Sequence, residues 1–291
     1  MTTLTADLAQ QYANQQNELG PETIAFYREA MDAFDEAGVP FLVGGAYAFA
    51  PYTGIVRHTK DFDVFVRPAD FDRALAAFAA RGWQTERTFA HWLGKGRLGE
   101  DFVDVIFSSG NGVARVDEEW FDNAVAGEVL GRPVKLVPAE EMIWSKSFIM
   151  ERERFDGGDV SHVFRSRASE LDWDRLLRRF DVNGGWRVLL AHLTLFGYIY
   201  PGDARLIPAR VMDTLADKLR REVHQPPADE KLCRGTILSR SQYLIDVHRW
   251  GYQDARLRPL GTMSAEQVEA WTTAAKEDGD VTQHQVLEEG S

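Results

Sequence analysis

Two aspartates two residues apart, Asp61 and Asp63, stand in the stretch Arg57-His58-Thr59-Lys60-Asp61-Phe62-Asp63-Val64-Phe65-Val66. The apolar residues around them read as a strand. A strand sends alternate side chains to opposite faces, so the two carboxylates share one face. Like charges that close repel unless a cation lies between them, and carboxylate oxygens are what hard divalent ions such as magnesium take as ligands. Upstream, Phe41-Leu42-Val43-Gly44-Gly45-Ala46 reads as a buried strand, a glycine turn and the start of a helix. Bare N–H groups at a helix N-terminus seat anions, and glycine lets a phosphate come close. A phosphate seat beside paired carboxylates points to phosphoryl or nucleotidyl transfer. The plainer alternative for Asp61 and Asp63 is a solvated strand face.

A third carboxylate lies in Val103-Asp104-Val105-Ile106-Phe107. Asp101 competes for the role, but the flanking valines favour Asp104, which projects opposite to them. Gly-Gly, Asp-x-Asp and a later strand aspartate, in that order, resemble the nucleotidyltransferase superfamily typified by DNA polymerase beta. The segment Arg57-x-Thr59-Lys60-Asp61-Phe62-Asp63 looks most like the minimal nucleotidyltransferases that include the AbiEii-type toxins. The resemblance covers roughly residues 36–165.

The resemblance implies a metal-dependent enzyme that moves a nucleoside monophosphate from a nucleoside triphosphate (NTP) to a hydroxyl. In-line attack on an α-phosphate needs both attacking and leaving oxygens stabilised, which two Mg2+ or Mn2+ ions about 3.5–4 Å apart can do. Asp61 and Asp63 would bridge the ions. Asp104 would bind the acceptor-side ion and act as general base. The nucleotide-binding set would be Gly44 and Gly45 through their amides, Arg57 and Lys60 near the mouth, Thr59 between them, and Lys146 on a following helix. Arg154, Asp156 and Asp159 are similar to an Arg-x-x-Asp-x-x-Asp element of many relatives at altered spacing, and Asp159 alone reads as a helix N-cap. Ala46 departs from the Ser or Thr of many relatives.

Composition limits the alternatives. The chain has 291 residues, 44% hydrophobic and 27% charged, which suits a soluble globular protein of one large or two small domains. No apolar run is long enough to span a membrane. The N-terminal residues lack the basic and apolar blocks of a signal peptide, and Cys233 is the only cysteine, so a cytoplasmic location is expected. The net charge of −12 disfavours a nucleic-acid partner, although −6 of it falls after residue 263. Arg165, Arg167, Arg175, Arg178 and Arg179 would suit RNA phosphates, but acids are interleaved with them. The acceptor is therefore open between RNA, a protein side chain and a small molecule. The rival class is a catalytically silent nucleotide-binding or antitoxin-type protein of the same fold, possessing a partner protein.

The elements that must position these residues read as follows. Residues 1–20 are polar. Pro21 opens a helix with Ile24, Tyr27, Ala30, Met31 and Phe34 at helical spacing. Residues 70–81 form an amphipathic helix. Strands are expected over 83–88, 90–93, 102–107 and 134–137, with Gly94-Lys95-Gly96-Arg97-Leu98-Gly99 as a turn-rich connection. The fold class is α+β (α/β): a small mixed sheet with packed helices over 21–168, then an all-helical domain over 169–263, whose last helix spans 238–249. Residues 264–291 form an acidic tail, expected to be disordered from 278. His192 reads as a satisfied core histidine and His58 as a loop residue. The polar and aromatic run Gly235–Tyr243, with Trp250-Gly251-Tyr252, reads as a buried polar network or as the lining of an acceptor site.

Overall fold

The computed structural model describes residues 19–57, 59, 61–226 and 231–277. Pro21 starts helix α1 (Pro21–Glu36), which buries Phe26, Tyr27, Ala30, Met31 and Phe34. Gly38, at φ 61°, turns the chain out of it. Strand β1 (Leu42–Val43) leads through Gly44 into α2 (Gly45–Thr53), and β2 (Phe62–Phe65) carries the second aspartate. Helix α3 (Phe71–Ala80) follows, then β3 (Gln84–Phe89), β4 (Leu93–Leu98) and β5 (Asp101–Ile106). After α4 (Glu118–Asp122), the hairpin β6 (Val125–Val129) and β7 (Arg132–Leu136) completes a seven-stranded mixed sheet of order β3-β4-β5-β2-β1-β7-β6.

The two central strands, β2 and β5, run parallel with Asp63 opposite Asp104. Phe62, Val64, Val103 and Val105 are fully buried on one face, where Tyr27 of α1 stacks on Phe62 with ring centroids 4.8 Å apart. Period-two alternation then sends Asp63 and Asp104 to the opposite face.

The run Gly94–Gly99, expected as a hairpin connection, is largely strand β4. Its glycines answer a packing demand rather than a turn. A β-carbon on Gly94 would lie 2.6 Å from the Phe71 ring, and one on Gly96 would lie 2.3 Å from the Phe78 ring. Helix α3 supplies the apolar volume that these two strand positions give up. Gly96→Val is expected to cost about 1–3 kcal/mol of stability, because the rigid ring beneath has nowhere to go. A lower urea midpoint with an unchanged slope would show it; an unchanged midpoint would mean that Phe78 is not lodged there.

The second half is helical apart from one short parallel ladder. It comprises α5 (Ala139–Ser147), α6 (Gly157–Arg167), α7 (Trp173–Phe180), α8 (Trp186–Ile199) and α9 (Ala209–Val223), then β8 (Leu232–Cys233), α10 (Gly235–Leu238), α11 (Leu244–His248), β9 (Gln253–Asp254) and α12 (Ala265–Glu277). The single helix expected over 238–249 is two short ones, because residues 239–243 leave helical geometry and Gln242 bonds back to the Met150 carbonyl. Residues 265–277 of the expected acidic tail form α12, whose Trp271 meets Phe89 and Trp92 edge-on at 5.0 and 5.2 Å. Residues 1–18 and 278–291 lie outside the described residues. No helix among the described residues is long and apolar enough to cross a membrane.

A buried ionic cluster packs α7 on α5 and reaches the first half through Asp117. Arg175, 4% exposed, pairs with Glu140 and Glu141, and Arg179 bonds Glu141 and Asp117. Arg167 bonds the carbonyls of Pro51 and Tyr52, while Arg165 and Arg178 pair with Asp203 and Glu119. Of the five arginines expected to suit RNA phosphates, Arg167, Arg175 and Arg179 are thus committed inside the protein, whereas Arg165 and Arg178 are exposed with long surface ion pairs.

Candidate active site

The carboxylate face of the sheet forms the floor of a cleft of about 650 Å³. Asp61, Asp63 and Asp104 line it, with Gly44 and Gly45 at one side and Lys146, Arg154 and Asp156 at another. The lining is completed by residues 236–240 and by Trp271 of α12. The run singled out as polar and aromatic therefore does reach the cleft at Thr236–Arg240, whereas Trp250 and Tyr252 are exposed.

The Gly-Gly turn is shaped by the two side chains that β2 sends toward it. Gly45 sits at φ 54°, and a β-carbon there would lie 2.0 Å from Asp63 Oδ2. A β-carbon on Gly44 would lie 2.2 Å from the Phe65 ring. The Gly44 N–H donates to the Asp63 carbonyl at 2.9 Å. This corrects the expectation that both glycine amides hold phosphate: Gly44 is committed to the sheet, and only α2, starting at Gly45, presents its first turn there.

Thr59 Oγ1 accepts the Asp61 N–H at 3.0 Å, a local turn that sets Asp61 at the head of β2. Thr59 and Arg57 stand outside the cleft lining. Lys60 and His58 lie outside the described residues. Lys146 of α5 bonds Asp156 at 2.7 Å and pairs with Asp159 at 2.9 Å, and Arg57 donates to both oxygens of Asp159. Asp159 is thus an ion-pair partner in the first turn of α6 rather than its N-cap, which is Asp156. Burial would raise the carboxyls of Asp156 and Asp159, but Lys146 with Arg154 or Arg57 outweighs it and holds both below the usual range. Arg57, Lys146 and Arg154 thus gather three cations around these two carboxylates beside the cleft.

Burial, with Asp104 and Asp61 nearby, pushes the Asp63 carboxyl up to about 7. Burial also raises Asp104, against the pull of Lys95. Lys95 is the residue that sequence reasoning missed. The antiparallel register of β4 and β5 sets it opposite Asp104, and its Nζ lies 2.5 Å from Asp104 Oδ1. The detectable signal was the alternation Gly94-Lys95-Gly96-Arg97, which is a strand pattern as much as a turn. Asp101, the rejected rival of Asp104, is absent from the cleft lining and accepts a bond from Thr23 at 2.9 Å. His192 is a buried core residue, with Nε2 2.8 Å from the Ser147 carbonyl, but its Nδ1 finds no partner among the described residues, so the expected full satisfaction is not met.

The donor chemistry of Asp61 and Asp63 fits one hard divalent ion: two carboxylates on one face, one of them raised to about 7 by burial and like charge, so that a cation would favour its ionised form. Asp104 fits a second less well, because one of its two oxygens, Oδ1, is already held by the Lys95 ammonium. Among the described residues no three His, Cys, Asp or Glu side chains stand together as a ready-made metal cage.

No family model and no curated protein matches this chain. Solved structures do show a distant likeness. The antibiotic-resistance factor ANT(2'')-Ia aligns at 15% identity over 70% of this chain and 95% of its own, with a TM-score of 0.37. The lincosamide antibiotic adenylyltransferase LnuA, lincomycin-bound, aligns at 13% over 50% and 96%, with a TM-score of 0.35. JHP933 from Helicobacter pylori aligns at 11% over 76% and 97%, with a TM-score of 0.32. Likeness at this level carries no weight for what this chain does.

Proposed function

We propose that this chain is a metal-dependent nucleotidyltransferase that moves a nucleoside monophosphate from an NTP to the hydroxyl of a small molecule. The observation that carries it is the in-register pair Asp63 and Asp104 on adjacent parallel strands, behind a glycine turn that only glycine can make, on the floor of a cleft walled by cations. A cleft of about 650 Å³ suits a nucleotide and a compact acceptor. The commitment of Arg167, Arg175 and Arg179 inside the protein favours a small acceptor over RNA and over the toxin-like reading.

In the proposed step the acceptor oxygen bonds to the α-phosphorus while the bond from that phosphorus to the β-phosphate oxygen breaks. The hydroxyl proton passes to the Asp104 carboxylate, and the electron pair leaves on pyrophosphate. A divalent ion held by Asp61 and Asp63 would supply the charge that neutralises the triphosphate oxygens. Lys146 attracts the leaving pyrophosphate from the cleft wall, held in place by Asp156 and Asp159. The first turn of α2 at Gly45 offers further N–H groups to the phosphates.

Gly45→Ala tests the turn. Its new methyl must push Asp63 aside, and an Ala at this positive φ is strained, so stability should fall by about 1 kcal/mol and transfer by tenfold to about a hundredfold. Retained transfer in Gly45→Ala would detach the turn from the chemistry.

The deciding experiment uses each α-labelled NTP with magnesium and, in turn, cell-extract small molecules, aminoglycosides, total tRNA and total protein as acceptors. Label should move into a small-molecule fraction. Label in tRNA would reinstate the RNA acceptor. Magnesium-dependent NTP binding without any transfer would favour the silent binding protein, and neither binding nor transfer would overturn the assignment.

A further inference from the structure

We infer that Lys95 is the acceptor-side cation of this centre, so that transfer runs with one divalent ion and one fixed ammonium instead of two metal ions. The inference rests on the transfer reading and goes beyond it by naming what neutralises charge at Asp104. Three observations place Lys95 there. The register of β4 on β5 sets it directly opposite Asp104, one strand further out than Asp63, so Asp63, Asp104 and Lys95 form a row across three neighbouring strands. Its flanking glycines are pressed by Phe71 and Phe78, which fixes the opposite face of β4, the cleft face, as the one that Lys95 occupies. Its ammonium is largely buried and doubly held, 2.5 Å from Asp104 Oδ1 and 4.3 Å from the centre of the Phe102 ring.

A lysine ammonium is a compact charge with three donors. One goes to Asp104, which leaves donors for the acceptor oxygen as it develops charge. A second metal ion on Asp104 would have to sit beside this ammonium or expel it from a buried pair, and like charges on one carboxylate repel. Asp61, exposed at the head of β2, precedes Asp63 along the strand and stands outside the row that ends on Lys95. The donor set is thus divided: two carboxylates for one ion, and one carboxylate already neutralised by the chain itself.

The test counts ions. The full-length protein is dialysed to equilibrium against Mn2+ with saturating α,β-methylene analogues of the four NTPs in turn. The expected result is one Mn2+ per chain in the wild type. In Lys95→Met, which keeps the apolar stem over Phe102, the expected count is two, with a loss of transfer of about a hundredfold that rising Mn2+ partly restores. Two Mn2+ per wild-type chain would overturn the inference and leave the transfer reading standing. No Mn2+ and no analogue bound would overturn both. The wild-type count needs no variant, so a Lys95→Met chain that fails to fold does not protect the inference.

Discussion

Asp63→Asn is expected to lower nucleotide transfer by at least about a thousandfold, roughly 4 kcal/mol in the transition state, while binding of the triphosphate weakens far less. The asparagine has nearly the same shape, so neither the strand nor Gly45 beside it need move. What vanishes is the anionic oxygen that would hold the divalent ion against the phosphates, and an effect confined to charge in the transition state appears in kcat. Asp104→Asn should cost nearly as much, for a different reason: it removes the proton acceptor and strands the Lys95 ammonium in a buried position without its partner. Asp61→Asn should cost least of the three, because Asp61 is exposed and held only through its backbone by Thr59. Single-turnover rates with saturating NTP would rank the three variants. Full activity in Asp63→Asn would end the nucleotidyltransferase reading, whatever the other two do.

The parts of the site that could be seen in the sequence are those where chemistry and local pattern agree. Asp61 and Asp63 alternate with Phe62 and Val64, a period that only a strand with one buried face produces, and Asp104 between two valines repeats it. What stayed hidden depended on distant partners. Gly94 and Gly96 look like turn glycines until Phe71 and Phe78 are brought over them, about twenty residues away in sequence, and misreading them hid Lys95. Asp159 has the type and place of a helix cap, yet its carboxylate goes to Arg57, 102 residues earlier. The arginines of residues 165–179 carry the composition of a phosphate-binding face, but only tertiary contact with Glu140, Glu141 and Asp117 reveals that Arg175 and Arg179 are paired inside the protein. Gly44 was recognised for the right reason, absence of a side chain, while the contact that demands it is the Phe65 ring rather than a phosphate. The seven-strand sheet shares this character: its α+β class follows from the order of helices and strands, whereas the β2–β5 register that aligns the two aspartates is a long-range pairing that no local pattern encodes.

The same carboxylate that is expected to drive the chemistry is expected to weaken the fold. Burial and the neighbouring Asp104 and Asp61 raise the Asp63 carboxyl from 3.8 to about 7. Between those two values the folded protein holds a proton that the unfolded chain has released, so in the absence of a metal ion its stability falls as pH rises through the window. Converted directly, the shift is worth about 4 kcal/mol as an upper bound; about 2–3 kcal/mol is expected once water reaching the partly exposed residue is allowed for. Asp63→Asn abolishes this titration. The variant should match the wild type near pH 4 and exceed its stability by about 2–3 kcal/mol at pH 7.5 in EDTA. Asp156, Asp159 and Asp254, held below their usual range by ion pairs, lose stability in the opposite direction as pH falls, but they are common to both proteins and cancel in the difference. Magnesium should close the gap at pH 7.5 by stabilising only the wild type, since a ligand of the folded state adds stability by mass action. Urea midpoints at pH 4.5, 6 and 7.5, with and without magnesium, measure it. A difference between the two proteins that does not change with pH would show that Asp63 is ionised throughout and that the strand row of carboxylates carries no electrostatic strain for a cation to relieve.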